Sequence, residues 1–180
     1  MIIVATDKEY EIAQNRFQGE PILKTGVGAL NVVEKLKNIP IDTPILNFGY
    51  VGSNVIPVGT EVEIGKCKLY HPKVEYDEPE YNLAQGDILC YTSNDFVTNT
   101  DITEPVVFDM ELAHILALGF TDVKSTKIVS DTLNIDEYEN TVSDNKDKED
   151  KENNYKFDDV DLEEFDVDDD PTALTSVDDE

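Results

Sequence analysis

Apolar positions along the chain come in short runs, separated by amphipathic stretches and punctuated by Gly and Pro. Ile2-Ile3-Val4-Ala5 is a continuous apolar run, the pattern of a strand buried on both faces. Residues 7 to 17 follow with Tyr10, Ile12, Ala13 and Phe17 apolar, which predicts a short helix. Ile22-Leu23 predicts a brief second strand that ends at Thr25-Gly26-Val27-Gly28. Residues 29 to 39 give the clearest helical pattern. Leu30, Val33 and Leu36 recur every three residues with Val32 beside them, Asn31, Glu34, Lys35 and Lys37 face water, and Pro40 ends the helix.

Pro44 to Phe48 is a third apolar run, leading into Gly49-Tyr50-Val51-Gly52-Ser53. Pro57 to Thr60 reads as a turn. Val62, Ile64, Cys67 and Leu69 around Gly65 predict a hairpin or a bulged strand. Residues 71 to 87 are polar, carry Pro72 and Pro79, and read as a loop. Ile88–Tyr91, Val106–Phe108 and Thr126–Val129 predict strands, and Met110–Leu118 a helix bounded by Gly119. Alternating strands and helices predict an α/β fold: a compact mixed, largely parallel sheet flanked by helices. Polar residues gather where the apolar runs end, at Thr6-Asp7, Thr25-Gly26, Gly49, Ser93-Asn94 and Ser130-Asp131. Ligands of open α/β sheets bind outside the carboxyl ends of strands, so these ends are expected to converge on one pocket.

The last quarter differs in kind. Residues 136 to 180 hold 20 acidic and 4 basic side chains, out of 40 and 14 in the chain of 180 residues. Residues 141 to 159 have almost no apolar groups with which to offset roughly 1–2 kcal/mol of backbone ordering per residue. We therefore expect a domain over 1–134 and an acidic, disordered tail over 135–180. The net charge of -26 repels nucleic acid and anionic membranes, and leaves a basic protein as the partner the tail would suit. Asp166, Asp168 and Asp170 alternate, but the turn glycine and terminal Glu of a calcium loop are missing, so no metal is expected. No stretch approaches a membrane span, and the start lacks the basic region of a signal peptide. Cys67 and Cys90, 23 positions apart, have no metal or disulfide spacing, and read as buried thiols of a cytoplasmic protein.

Five segments, in order, resemble the nucleoside phosphorylase/nucleosidase superfamily, with the closest likeness to bacterial 5'-methylthioadenosine/S-adenosylhomocysteine nucleosidases. They are Ala5-Thr6-Asp7-Lys8-Glu9, Thr25-Gly26-Val27-Gly28, Phe48-Gly49-Tyr50-Val51-Gly52-Ser53, Phe108-Asp109-Met110-Glu111 and Val129-Ser130-Asp131. The resemblance implies a fold, an activity and a set of roles over residues 1 to 134. Asp131 would be the general acid that protonates N7 of a purine, oriented by Ser130. Glu111 would bind the ribose hydroxyls and Met110 would pack on the sugar. Phe96, with Val97 beside it, falls where an aromatic ring stacks on the base. Glu9 would activate water, and Lys127 falls where the nucleosidases carry an arginine near that water. Gly49 and Ser53 belong to a glycine segment that lines the substrate. The resemblance implies a small nucleoside as ligand, no cofactor, and a homodimer. It also implies a longer segment than 71–87 and a helix after Ser-Asp. The first is not present, and the acidic tail is expected in place of the second.

The chemistry stands apart from the resemblance. Breaking an N-glycosidic bond yields an oxocarbenium-like sugar and a purine anion, so an acid is needed at the base, worth roughly 10²–10⁴-fold. Three carboxylates, Glu9, Glu111 and Asp131, meet the formal needs of base, sugar binder and acid. Each also fits a plainer role: Glu9 on a first helical turn, Glu111 on a solvated helix face, Asp131 at a strand end. Phosphorolysis requires a site for a phosphate dianion, which favours arginine. The chain has one arginine, Arg16, away from the glycine segments, which favours hydrolysis. Two alternatives stay open: a phosphorylase, and a degenerate nucleoside-binding or interaction protein whose acidic tail engages a partner.

Overall fold

The computed structural model describes residues 1–71 and 79–142. The element order is β1 (Ile2–Val4), α1 (Asp7–Arg16), β2 (Ile22–Lys24), α2 (Ala29–Leu36), β3 (Ile45–Ser53), β4 (Glu61–Leu69), β5 (Tyr81–Asn82), β6 (Ile88–Thr92), β7 (Val106–Asp109), α3 (Leu112–Ala117), β8 (Val123–Asp131) and α4 (Ile135–Val142). The fold is α/β with one mixed, largely parallel sheet, as the alternation of patterns predicts.

The sheet closes on itself. β3 pairs parallel with β8 along most of its length and antiparallel with β7 at Gly52–Ser53. β7 pairs parallel with β6, β6 parallel with β4, and β4 antiparallel with β8. The result is a small barrel-like ring, with β1 and β2 continuing from the outer flank of β3 in parallel register. β3 and β8 are nine residues each, longer than their apolar runs. Gly49–Ser53 and Ser130-Asp131 therefore belong to the strands and do not follow them. In both strands the ladder holds polar residues inside, including Asn47, whose Oδ1 accepts from Ser125 Oγ at 3.2 Å. Gly65 carries the expected bulge. A Cβ there would lie 2.7 Å from the Gly86 carbonyl carbon, and the β4–β6 register shifts between Ile64 and Lys66.

The helices pack their apolar positions on this sheet, with one correction. On α2 the buried residues are Val32 and Leu36, one turn apart, whereas Leu30 is 86 % exposed and Val33 is also exposed. At about 100° per residue Leu30 lies almost opposite Val32, so the i, i+3 series runs off the buried face. α1 begins with a capping box: the Thr6 hydroxyl accepts from the Glu9 N–H at 3.3 Å while Glu9 reaches back to the Thr6 N–H at 2.8 Å. α3 starts two residues after the predicted Met110, because Asp109 Oδ2 accepts the Leu112 N–H at 3.0 Å and caps its first turn.

Cys67 and Cys90 are both buried, and they are register partners on β4 and β6. Burial, then the neighbouring Cys67 and Asp109, push the Cys90 thiol well above its usual pKa. A helix, α4, follows Ser130-Asp131 where the sequence leads us to expect none, and it is itself acidic, with Asp136 and Glu137 in its first turn. Asn134 caps α4, its Oδ1 accepting from Asp136 at 2.9 Å, and Glu137 reaches back to the Thr132 N–H at 2.7 Å. The tail from 143 onward, and the acidic cluster within it, lie outside the described residues. Among the described residues no helix is long and apolar enough to cross a membrane.

Candidate active site

A cavity of about 230 Å³ opens where β3, β7 and β8 end beside the N-termini of α1 and α3. Its wall includes Glu9, Phe96, Val97, Met110, Glu111, Ser130 and Asp131, so seven of the ten residues singled out from the sequence converge on it. Gly49, Ser53 and Lys127 do not line it. Ser53 is spent on structure: its hydroxyl donates to the Val106 carbonyl at 2.8 Å and accepts from the Ile56 N–H at 3.0 Å.

Glu9 is held by the start of α1 and by β3. Its Oε2 accepts the Ala5 and Thr6 N–H groups, both at 2.8 Å, and its Oε1 accepts the Tyr50 N–H at 2.7 Å. A carboxylate offers about four acceptor positions, so Oε1 keeps one for a ligand. Gly49 is what admits this arrangement. A Cβ there would overlap Glu9 Oε1 and lie 2.9 Å from its carboxyl carbon. Gly52 plays the same part for Asp131, whose Oδ1 would sit 2.8 Å from a Cβ. Gly49→Ala is expected to displace Glu9 and to cost about 1–3 kcal/mol, as overpacking does. Urea denaturation checks this, and a variant as stable as the wild type would remove the clearance role.

Asp131 ends β8 and is fully buried as a residue. Its Oδ2 accepts from Ser130 Oγ at 2.7 Å and its Oδ1 from the Leu133 N–H at 3.0 Å. Ser130 Oγ thus lies between this carboxyl and the Val51 carbonyl, to which it also donates at 3.1 Å. Burial raises the Asp131 pKa, opposed by these hydrogen bonds. Leu133, which turns the chain back under Asp131, is the non-glycine residue with positive φ among the described residues, at 62°. Its N–H bond to Asp131 is what holds that conformation in place.

Glu111 sits at the N-cap of α3 without capping it; Oε1 instead accepts the Gly28 N–H at 3.0 Å. Burial, then Asp109, raise its pKa to about 7, against the opposing pull of Lys127. A folded pKa above the unfolded one means that the folded state binds the extra proton. The stability this supplies is full below about pH 4.5 and is lost as pH rises through 7. By the linkage relation the loss amounts to about 3 kcal/mol. Glu111→Gln lacks this titration, so its stability relative to the wild type is expected to grow between pH 5 and pH 8. Urea midpoints at both pH values measure it, and parallel curves would contradict the assignment.

Lys127 lies behind the wall. It is fully buried, and its Nζ pairs with Asp109 Oδ2 at 3.1 Å. Burial alone would lower its pKa, but Asp109, then Glu111, more than offset it and the ammonium is held charged. Asp109 also accepts the Thr92 hydroxyl at 2.6 Å, and Thr92 in turn accepts the Ala113 N–H at 2.9 Å. This network fixes the start of α3 and hence Glu111. Asp109 and Thr92 were not among the residues singled out from the sequence.

Two further wall residues were also missed. Tyr138 comes from α4 and its ring centroid lies 5.3 Å from that of Phe96. The signal was present: Asn134 three positions before Glu137, with Ile135, Tyr138 and Val142 on a helical spacing. Tyr50, quoted within the glycine segment, lines the cavity beside Glu9. Charge on the wall is of one sign. Among the described residues it holds Glu9, Asp95, Asp109, Glu111 and Asp131, and no Lys, Arg or His. Arg16 lies at the end of α1, bonded to Glu61 and placed over the rings of Phe17 and Phe48.

No protein-family model matches the chain, and no curated protein matches it. Solved structures do. A 5'-methylthioadenosine/S-adenosylhomocysteine nucleosidase from Neisseria meningitidis, in complex with methylthio-immucillin-A, is similar with a TM-score of 0.62 at 14 % identity, over 78 % of this chain and 90 % of that one. A Helicobacter pylori nucleosidase variant of the same kind, with 5'-methylthioadenosine in its active site, gives 0.66 at 10 % identity, over 78 % and 90 %. Futalosine hydrolase of Helicobacter pylori gives 0.65 at 10 % identity, over 78 % and 89 %. The chain therefore has the fold of the methylthioadenosine/S-adenosylhomocysteine nucleosidases, with its cavity built at the strand ends of that fold.

Proposed function

We propose that this protein is a purine nucleosidase that hydrolyses the N-glycosidic bond of an adenine-type nucleoside. The observation that carries the reading is the composition of the wall: among the described residues, carboxylates on several sides and no cationic side chain. Such a wall suits a neutral nucleoside and a neutral water, and opposes a phosphate dianion. Asp131, raised in pKa by burial, donates its proton to N7 of the base as the bond to C1' breaks. Glu111 accepts the ribose hydroxyls through Oε2, which its bond to Gly28 leaves available. Glu9 takes a proton from the water that adds to C1'. The products are the free purine and the free sugar, and Phe96 stacks on the base. Lys127 acts from behind, by holding Asp109 and the start of α3.

Chromatography of adenosine incubated with the protein tests this reading. Adenine and free ribose are expected without phosphate, at a rate unchanged when phosphate is added. Release that requires phosphate and yields ribose 1-phosphate would assign phosphorolysis. Binding of adenosine without release would assign a nucleoside-binding protein.

A further inference from the structure

α4 packs little of itself into the core. None of its residues is fully buried, and Ile135 is 50 % exposed. Hydrogen bonds hold the helix at the end of β8 instead. The Thr141 hydroxyl donates to the Ser130 carbonyl at 3.1 Å, and Glu137 Oε2 accepts the Thr132 N–H at 2.7 Å and the Thr132 hydroxyl at 2.8 Å. These bonds tie α4 to the residues on either side of Asp131. Tyr138 lies between Glu137 and Thr141, is half-buried, and lines the cavity. Its ring is thus carried by a helix fixed to the strand end that carries Asp131.

Phe96 reaches the same wall from the segment after β6. The two ring centroids are 5.3 Å apart and the planes are inclined at 58°. Among the described residues the three apolar clusters of the core include neither ring. Two aromatic rings therefore meet at the cavity without being spent on the core. At this inclination they form a corner and not a parallel slot. A flat ligand that rests on one ring turns its edge towards the other, and aromatic groups favour contacts of both kinds. Aliphatic side chains would exclude water equally well. What a pair of rings adds is affinity for a planar aromatic partner. Of the two halves of a nucleoside, the base has such a face and the sugar has none.

We propose that Tyr138 is a second base-binding residue, which forms with Phe96 an aromatic corner that holds the purine at the Asp131 end of the cavity and binds the free base in its own right. The proposal rests on the nucleosidase reading and adds a specificity-determining residue to its base end.

Calorimetric binding of adenine to the wild type, Tyr138→Phe and Tyr138→Leu tests the corner. Tyr138→Phe keeps the ring and is expected to bind adenine within about threefold of the wild type, whereas Tyr138→Leu is expected to bind it about tenfold more weakly, a factor within the range of one base–aromatic contact. The same loss should appear for adenosine as a KM raised about tenfold with kcat kept, because contact with the base is equal before and during bond breaking. A residue that only held α4 in place would lower the urea midpoint of Tyr138→Leu and leave the adenine Kd unchanged. That result overturns the proposal, and so does a wild type that binds no adenine. Should Tyr138→Leu not fold, tyrosine emission decides. The chain has eight tyrosines and no tryptophan, so adenine held on Tyr138 should quench emission more in the wild type than in Tyr138→Phe, and equal quenching overturns the assignment. The nucleosidase reading fails separately. Adenine binding that weakens in Tyr138→Leu, with no adenine released from adenosine, leaves the corner standing and removes hydrolysis. Release of adenine with a Kd and KM that Tyr138→Leu does not change removes the corner and leaves hydrolysis standing.

Discussion

Asp131→Asn is expected to lower adenine release by about 10²–10⁴-fold, the usual worth of one general acid. The substitution is nearly isosteric. The Asn oxygen can still accept the Leu133 N–H, so the turn under β8 is kept. What is lost is the transferable proton. The sign of the pH dependence follows from the same residue. The acid works only while protonated, and burial has raised its pKa. Wild-type activity should therefore fall on the alkaline side, as pH climbs through that raised value, and the residual activity of the variant should lack this limb. Single-turnover release of adenine, followed by chromatography across pH, measures both. A variant within tenfold of the wild type would mean that Asp131 is a structural residue and the acid lies elsewhere.

Lys127→Met should be the most damaging change to stability, at about 3–5 kcal/mol. The lysine is fully buried and its ammonium contacts Asp109 Oδ2 at 3.1 Å. Removing it leaves the Asp109 carboxylate buried beside Glu111 and Cys90 without the countercharge that Lys127 supplies. Coulomb repulsion from Asp109 already raises Glu111, and the loss of Lys127 removes the pull that opposes this. The effect should be non-additive. Combining Lys127→Met with Asp109→Asn removes both charges, and Asn can still accept from Thr92, so the double variant should cost less than the sum of the singles. Urea denaturation of the four proteins of this cycle measures the coupling. Additive losses would show that the two groups are not acting as a pair.

Much of the architecture was legible in local patterns. Ile2–Ala5, Ile22-Leu23 and Val106–Phe108 are short apolar runs, and strands form there, at Ile2–Val4, Ile22–Lys24 and Val106–Asp109. Thr6 with Glu9 three residues later is a capping-box signature, and the helix starts there. The patterns failed where pairing across the sheet overrides them. The glycines and serine of 49–53 have low strand propensity, and a reader of propensity stops the strand at Phe48. The ladder to β8 continues regardless, because its partners on both sides are already in place. Leu30 misled for the opposite reason. Its spacing matches a helical face, but which face meets the sheet is decided by the approach angle of the helix, and that angle leaves Leu30 exposed.

The candidate site divides in the same way. Residue types and their order along the chain were enough to single out Glu9, Glu111 and Asp131, and to note that one arginine in 180 residues is poor equipment for phosphate. These are properties of composition and of position at element ends, which a linear chain displays directly. Tertiary structure alone decided that Gly49 and Gly52 clear the space into which Glu9 and Asp131 fit, that Lys127 pairs with Asp109 without itself lining the cavity, that Cys67 lies beside Cys90, and that Tyr138 returns from α4 to the wall that Tyr50 also lines. Each depends on contacts between residues far apart in sequence. Register and burial set those contacts, and neither leaves a mark on the local periodicity of the chain.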